Sequence, residues 1–421
     1  MPSGIVLQFP VWAMAFSLAP PGIATSCKET AVKSALKNNR AGLSTLCTAL
    51  GTILLTAAGA ASTAQAQVPE NIYQEMKKIG HVVDPACTAK LYRGFMPAND
   101  YNSSASPLYP GIKLDRDVSF GKHPKDLVDI FSAEKGGANR TVVIYVPGGG
   151  GNKIEQQSRD ANAFYDNIGR WATKNGMVAA IMQRHPGQNW DDPAKDVSTL
   201  VQWLQANVGK YQGNPDRMFI WAQSAGNGPT GTYLGRPEVW GPKGVGLKGA
   251  ILMAGGFNIA PLNMPQPGQQ QGPAFGGQPG GPPAAGSTCG EAGPASANGA
   301  IKGPSGMTPP PAGAPAGGPP GGAGGPQRPD EATLIARSTL PALRKGTVKL
   351  FFVSPELDPG VDGKMSTFYQ TLHDDLCKVG ADKCPQMLYA PRHNHMSIVF
   401  SPDSPDTTVS KPVLDFINSV K

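Results

Sequence analysis

Short apolar runs alternate with segments of helical periodicity along most of the chain, and this alternation restricts the fold more than any other feature of the sequence. The runs are nearly continuous in apolar and β-branched residues, as in 141–146, so both faces of each predicted strand need to be covered. The segments between the runs are amphipathic; within 196–208, for example, Val197, Leu200 and Leu204 recur at helical spacing. The pattern therefore predicts a mostly parallel sheet covered by helices on both faces.

The predicted elements follow one another from residue 118 to residue 420. The parallel strands are predicted at 141–146, 177–182, 217–221, 247–254, 348–353 and 387–390, and helices at 155–175, 196–208, 331–344, 365–379 and 409–420. Upstream of these, residues 118–120 and 127–131 are predicted to form an antiparallel pair at one edge of the sheet.

A low-complexity segment interrupts this pattern. The chain of 421 residues contains 53 Gly and 42 Pro, and these are concentrated at 261–330, where more than half of the residues are Pro, Gly or Ala. Such a segment cannot bury enough apolar surface to offset its ordering entropy, and it lacks the strict Gly-x-y period of collagen. Because patterned sequence resumes afterwards, we predict a disordered insertion within one domain.

The first 66 residues are predicted to direct export. Lys33, Lys37 and Arg40 precede an apolar run at 46–61, and Ala66 ends a small-x-small cleavage site, as in a secretory signal. Cleavage there would leave a secreted or periplasmic protein. The remaining chain has no apolar run long enough to span a bilayer. With 37 Lys plus Arg against 30 Asp plus Glu scattered along the chain, no nucleic-acid partner is predicted.

Four of the six cysteines lie after the predicted cleavage site. Cys377 and Cys384 flank a short Gly-containing loop between a predicted helix and strand, so we predict that they pair, which leaves Cys87 for Cys289. Four cysteines allow three connectivities, and the sequence alone does not choose among them. There is no Cys-x-x-Cys pair to favour a zinc knuckle.

One serine lies where a nucleophile is expected. Ser224 is in the string Ala222-Gln223-Ser224-Ala225-Gly226, between a predicted strand and a predicted helix. A sharp strand-to-helix turn raises a serine hydroxyl above the sheet and directs the next backbone N–H, here that of Ala225, at an oxyanion. The string has Ala at the first small-residue position, where Gly is more common. Small-residue turns around Ser are frequent, so the prediction depends on the neighbouring elements.

A run of four glycines, 148–151, ends the predicted strand at 141–146. Backbone N–H groups of such a turn can bind a developing negative charge, because glycine lets the substrate oxygen approach closely. The alternatives are a flexible loop without a ligand and a phosphate-binding loop. The second lacks the Gly-Lys-Ser/Thr sequence that phosphate binding needs.

Acid and base candidates follow the last two strands of the pattern. Asp358 is the predicted acid that orients an imidazole, with Glu356 second and Asp362 third. His395 is the predicted general base, with His393 second. Histidines at i and i+2 in a loop, without a nearby set of carboxylates, make a poor metal site, so no metal is predicted.

The chain order Ser224, Asp358, His395, with a Gly-rich turn two strands earlier, resembles the α/β-hydrolase superfamily. The resemblance covers residues 117–421 apart from the insertion, and the nearest groups are the hormone-sensitive-lipase-like and feruloyl-esterase-like carboxylesterases. Similar strings occur in that family at the positions of residues 117–121, 127–129, 192–196 and 214–217. The resemblance implies an α/β-hydrolase fold with a catalytic domain at 117–421, an N-terminal extension at 67–116 and the insertion at the family's cap position.

The resemblance also implies an oxyanion hole. The family's turn reads His-Gly-Gly-Gly, and its central amides match Gly149 and Gly150, with Ala225 as the third donor. This chain departs from the pattern with Pro147 in place of the histidine that usually braces the loop. The loop could still supply its donors, but it lacks the side chain that usually positions them.

The first functional hypothesis is a serine carboxylesterase that needs no cofactor and acts on a small-molecule or polymeric ester through an acyl-enzyme. Gln223 and His185 are predicted to line the substrate site. Two alternatives stay open at this point: an amidase or formamidase with the same triad, and a hydrolase-fold binding protein without activity. The sequence leaves the oligomeric state open.

Overall fold

The computed structural model describes residues 67–97, 109–149, 153, 163–185, 191–264, 329–361 and 363–421. The predicted leader at 1–66 and most of the predicted insertion at 261–330 lie outside these residues, as do Gly150, Cys289 and Asp362. The predictions made for them are therefore neither confirmed nor contradicted by the fold.

The described chain contains one eight-stranded sheet. Its strand order is β1-β2-β4-β3-β5-β6-β7-β8, with antiparallel pairing of β1 to β2 and of β2 to β4, and parallel pairing from β4 to β8. The strands are β1 (Ile112–Ser119), β2 (Leu127–Ala133), β3 (Arg140–Val146), β4 (Val178–Met182), β5 (Gly213–Gln223), β6 (Gly249–Met253), β7 (Lys349–Leu357) and β8 (Gln386–Asn394). The sheet is that of an α/β hydrolase, which confirms the predicted fold class and the antiparallel edge pair.

Ten α-helices are described along the chain. They are α1 (Glu70–Ile79), α2 (Pro85–Arg93), α3 (Asp166–Lys174), α4 (Asp192–Asn207), α5 (Asn227–Gly235), α6 (Glu331–Ala336), α7 (Leu340–Lys345), α8 (Thr367–Val379), α9 (Ser397–Phe400) and α10 (Ser410–Ser419). Several begin at a capping side chain, such as Ser366, whose hydroxyl accepts the N–H of Tyr369 at the start of α8. The helix predicted at 331–344 is instead two helices, because Pro341 opens α7 and cannot continue α6.

Both faces of the sheet are covered, as the apolar strands require. In β3, Val143 and Tyr145 belong to one buried cluster, whereas Val142, Ile144 and Val146 belong to the other. All five side chains are fully buried. Alternate residues of a strand point to opposite faces, so a run of consecutive apolar residues fills two cores at once.

The N-terminal extension contacts the β8 end of the molecule. Tyr92 in α2 is fully buried and donates a hydrogen bond of 3.0 Å to Asp406, and the side chains of Ile72 and Met76 lie in the same core cluster. Strand β1 begins at Ile112, so the predicted boundary between residues 116 and 117 falls inside a strand.

The predicted disulfide between Cys377 and Cys384 is present. Cys87 is also disulfide-bonded, but its predicted partner Cys289 lies outside the described residues. Among the helices described, none is long and apolar enough to cross a membrane.

Candidate active site

Ser224 lies at a strained turn directly after β5. Its φ is 52°, and a short 3₁₀ turn at Ser224–Gly226 leads into α5. A positive φ in a non-glycine residue costs about 1–3 kcal/mol and persists only where the surroundings hold it. Here the buried Asn227 donates one amide hydrogen bond of 2.9 Å to the carbonyl of Ser224 and a second of 2.9 Å to that of Met253. The serine side chain is partly exposed at the carboxyl ends of the strands, as predicted for a nucleophile turn.

The turn packs closely against the glycine-rich loop that follows β3. A Cβ atom at Gly226 would lie 2.5 Å from the carbonyl oxygen of Val146, and a Cβ atom at Gly148 would lie 2.7 Å from the Cβ of Ser224. Both distances are far below any real contact between such atoms. Glycine is therefore required at both positions, because any side chain there would prevent the loop from packing this closely against the serine.

The predicted acid and base are joined by a hydrogen bond. Asp358 follows β7 and His395 follows β8, and Nδ1 of His395 lies 2.6 Å from Oδ1 of Asp358. Each residue is 6% exposed. When Nδ1 donates to a carboxylate, the neutral imidazole carries its lone pair on Nε2, where a general base needs it. Nε2 of His395 is buried and has no hydrogen-bond partner within the described residues.

Glu356, the second candidate acid, is held by other partners. Its Oε1 accepts a hydrogen bond of 2.6 Å from the hydroxyl of Tyr73 in α1, and its Oε2 accepts one of 2.7 Å from the backbone N–H of Arg392. The hydrogen bond to Glu356, together with burial, raises the pKa of Tyr73 to about 12. Glu356 therefore connects the N-terminal extension to the sheet, and the structure places Asp358 rather than Glu356 on the imidazole.

His393, the second candidate base, lies on β8 and is completely buried. Its Nδ1 is 2.8 Å from the hydroxyl of Ser397, and its Nε2 is 3.3 Å from Oδ2 of Asp406. Burial alone would raise the pKa of Asp406, but the interactions with His393 and Thr408 together outweigh this effect, and the pKa lies below its usual value. His393 thus belongs to a buried network beside the site.

Gln223 and His185, predicted to bind substrate, both have protein partners. The buried amide of Gln223 donates a hydrogen bond of 3.1 Å to the carbonyl of His395, which ties the nucleophile turn to the histidine loop. Nε2 of His185 lies 3.3 Å from Oδ1 of Asp126 and 3.2 Å from Oδ1 of Asp196. A substrate-binding role for either residue stays a prediction.

Two of the three proposed oxyanion donors lie within the described residues. Gly149 is exposed with φ 54°, and Ala225 is exposed on the turn after Ser224; Gly150 lies outside the described residues. Arg184 follows β4 and donates hydrogen bonds to the carbonyls of Pro147 and Gly149. No role at the site was predicted for this residue from the sequence. Its position at the carboxyl end of a predicted strand was the available signal.

Among the residues that the structure describes, two groups of side chains bring together atom types that ligate metals. In the first, His373 lies beside Cys377 and Cys384, whose sulfurs are consumed in the disulfide. The second contains His123, Asp126 and His185. There the two imidazole rings stack 4.2 Å apart at 23°, and Nδ1 of His123 accepts the N–H of Lys125. Two nearly parallel rings do not direct their in-plane lone pairs at one ion, and we assign no metal to either group.

Part of this chain is similar to known proteins. The BD-FAE family model matches residues 128–229, which include the Ser224 turn. A probable carboxylic ester hydrolase of Mycobacterium tuberculosis is 29% identical over 126 residues, or 28% of each chain. A probable isoprenylcysteine alpha-carbonyl methylesterase of Arabidopsis thaliana is 24% identical over 116 residues, which are 26% of this chain and 22% of that protein. The matched part thus spans about a quarter of the length of these curated relatives.

Among solved structures, esterase B from Lactobacillus rhamnosis aligns with a TM-score of 0.47 and 12% identity, covering 83% of this chain and 96% of that one. The sheet order and the family match together confirm the predicted resemblance to α/β-hydrolase carboxylesterases.

Proposed function

We propose that this protein is a serine carboxylic ester hydrolase with Ser224 as nucleophile, His395 as general base and Asp358 as the acid that orients the imidazole. The observation that carries the proposal is the 2.6 Å hydrogen bond between Asp358 and His395, which leaves the buried Nε2 without a partner in the described part of the chain. Because β5, β7 and β8 run parallel, their carboxyl ends lie on the same side of the sheet. Ligands bind outside the carboxyl ends of the strands in folds of this kind.

The proposed reaction uses these three side chains in turn. His395 Nε2 removes the proton of the Ser224 hydroxyl as the oxygen attacks the ester carbonyl, and Asp358 stabilises the imidazolium that forms. Backbone N–H groups at Gly149, Gly150 and Ala225 are the proposed donors to the oxyanion. The imidazolium then protonates the leaving alcohol, and water hydrolyses the acyl-enzyme by the same sequence of proton transfers.

Short-chain p-nitrophenyl esters and a fluorophosphonate probe test the proposal. Ser224→Ala should lower kcat by several orders of magnitude and abolish labelling, because nucleophile removal leaves only residual catalysis. Asp358→Asn should lower kcat by about 10⁴, the loss found when a triad acid can no longer hold the correct imidazole tautomer.

Glu356→Gln is the matched control, since it neutralises a neighbouring carboxylate that does not contact the imidazole. Its kcat should stay close to that of the parent. Equal losses in Asp358→Asn and Glu356→Gln would contradict the assignment of the acid. A folded parent that neither turns over esters nor reacts with the probe would contradict the proposed function.

We also propose export, with cleavage after Ala66, supported by the basic, apolar and small-residue order of the leader. N-terminal sequencing of the protein from the periplasm or culture medium should begin at Gln67. An intact N-terminus on an intracellular protein would contradict this proposal.

A further inference from the structure

Arg184 connects two elements of the site that the sequence does not link. The chain leaves β4 at Met182, and the Arg184 side chain, only 6% exposed, extends to the loop that follows β3. Its Nε donates a hydrogen bond of 3.2 Å to the carbonyl of Pro147, and its Nη2 donates one of 2.8 Å to the carbonyl of Gly149. One planar guanidinium thereby binds two carbonyls two residues apart through separate nitrogens held in a fixed fork, which the single nitrogen of an ammonium group does not provide.

The backbone of Arg184 is itself held in place. The buried side chain of Gln183 donates a hydrogen bond of 2.8 Å to the carbonyl of Arg184 and accepts one of 2.8 Å from the backbone N–H of Lys153. Side chains buried and bonded in this way have little rotamer freedom. The guanidinium is therefore presented to the loop from a rigid base.

Placing a cation here has a cost. Burial lowers the pKa of Arg184, and the electrostatic effects of Tyr165 and Asp196 offset it only in part. Within the described part of the chain, the hydrogen bonds of this guanidinium go to two backbone carbonyls of the glycine-rich loop. Burying a cation is costly unless its donors are bonded, and here those bonds are made to the loop.

We propose that Arg184 is a positioning residue for the oxyanion loop; the inference rests on the proposed ester hydrolysis. In a trans peptide the C=O and the following N–H lie in one plane and point in opposite directions. Binding the carbonyls of Pro147 and Gly149 fixes two peptide planes, one on each side of the peptide that joins Gly148 to Gly149. That middle peptide carries the N–H of Gly149, a proposed oxyanion donor.

The loop needs such a brace because of its composition. Glycine has the largest conformational freedom of any residue, and Gly149 has a positive φ of 54°. Pro147 has neither a backbone N–H nor a polar side chain to hold the turn from within. Arg184, which follows β4, instead holds the turn from outside through the carbonyls of Pro147 and Gly149. The guanidinium stays outside the reaction and acts through the orientation of the donors.

The test compares Arg184→Gln and Arg184→Lys with the parent, using p-nitrophenyl acetate. Concentrations are normalised to active sites titrated with a fluorophosphonate. Arg184→Gln should lower kcat by about 100-fold, the effect of misplacing a catalytic group by about 1 Å or losing an oxyanion donor. KM should change by no more than about threefold, because the loop acts on the transition state. Arg184→Lys should lie between the two, since it keeps the charge but lacks the rigid fork of donors.

Chemical rescue separates positioning from general stabilisation. Guanidinium added at millimolar concentration should restore part of the kcat of Arg184→Ala, whereas sodium at equal ionic strength should not. Arg170→Gln is the matched control, because Arg170 is also a buried arginine, pairs with Asp403 at 2.7 Å and has no hydrogen bond to the described residues of the glycine-rich loop. It should lose stability and keep its kcat per titrated site.

The outcomes are distinguishable. A parent that neither reacts with the fluorophosphonate nor hydrolyses the ester would refute the proposed function itself. An active parent together with a folded Arg184→Gln variant of unchanged kcat would overturn the role of Arg184. If Arg184→Gln does not fold, Arg184→Lys decides, and a parental kcat in that variant would overturn the inference.

Discussion

Gly226→Ala is the substitution that most directly tests the contact between the nucleophile turn and the glycine-rich loop. Gly226 has φ −67° and ψ −20°, a conformation that alanine adopts without strain. Any effect of the substitution therefore comes from the space that the added methyl group needs. That methyl would lie 2.5 Å from the carbonyl oxygen of Val146 and 2.8 Å from that of Pro147.

The magnitude follows from these two distances. A carbon and an oxygen in van der Waals contact are separated by about 3.3–3.6 Å, so the loop must move away by most of an ångström. Backbone atoms on both sides make this movement expensive, and overpacking of this kind costs about 1–3 kcal/mol of unfolding free energy. A displacement of about 1 Å in a catalytic constellation lowers kcat about 100-fold.

Gly228→Ala, two residues further along, provides the control. Apart from its chain neighbours and the backbone of its own helix, no described atom lies within 4 Å of a Cβ at Gly228. The gain of about 0.5–1 kcal/mol for alanine over glycine in a helix is opposed here by Pro229, because a Cβ before proline clashes with the proline ring in the helical conformation. Urea unfolding and p-nitrophenyl acetate kinetics should be measured on both variants. We expect Gly226→Ala to lose stability and kcat, and Gly228→Ala to keep kcat with little net change in stability. A Gly226→Ala variant with parental kcat and stability would refute the close approach of turn and loop.

Two further predictions concern stability. Replacing Cys377 and Cys384 by alanine should lower the free energy of unfolding by about 2 kcal/mol, since the disulfide closes a short loop, and leave kcat unchanged; an unaltered urea midpoint would contradict this. Burial and the charge of Asp126 raise the pKa of Asp196 to about 7. The folded state therefore keeps a proton that the unfolded chain releases above pH about 4, and stability falls as pH rises to about 7. The difference in unfolding free energy between Asp196→Asn and the parent should therefore favour the variant more at pH 8 than at pH 4.5. An equal difference at the two pH values would contradict this prediction.

Local sequence was enough to locate most of the elements. The β-branched run at 141–146 could only be a strand buried on both faces, and it lies in β3. The small residues around Ser224 predicted a tight strand-to-helix turn, and φ 52° at that serine agrees. The pairing of Cys377 with Cys384 followed from their short separation. Each of these predictions depended on interactions within about ten residues, which a sequence pattern records.

The choice between neighbouring candidates needed the three-dimensional contacts. Glu356 and Asp358 lie two residues apart after the same strand, and nothing local distinguishes their carboxylates. The distinction arises because Tyr73, from the distant N-terminal extension, binds Glu356, whereas His395 binds Asp358. Likewise His393 and His395 differ because one lies on β8 inside the core and the other follows the strand.

Arg184 shows the same limit most clearly. Its sequence position predicts only a polar residue at a strand end, because its two hydrogen-bond acceptors lie on the loop after a different strand. The sequence by itself determined the sheet, the serine turn and the glycine-rich loop, since hydrophobic periodicity and backbone stereochemistry act locally. Only the tertiary structure decided which acid meets which histidine and what holds the loop, because those contacts join residues that are 35 to 37 positions apart in the chain.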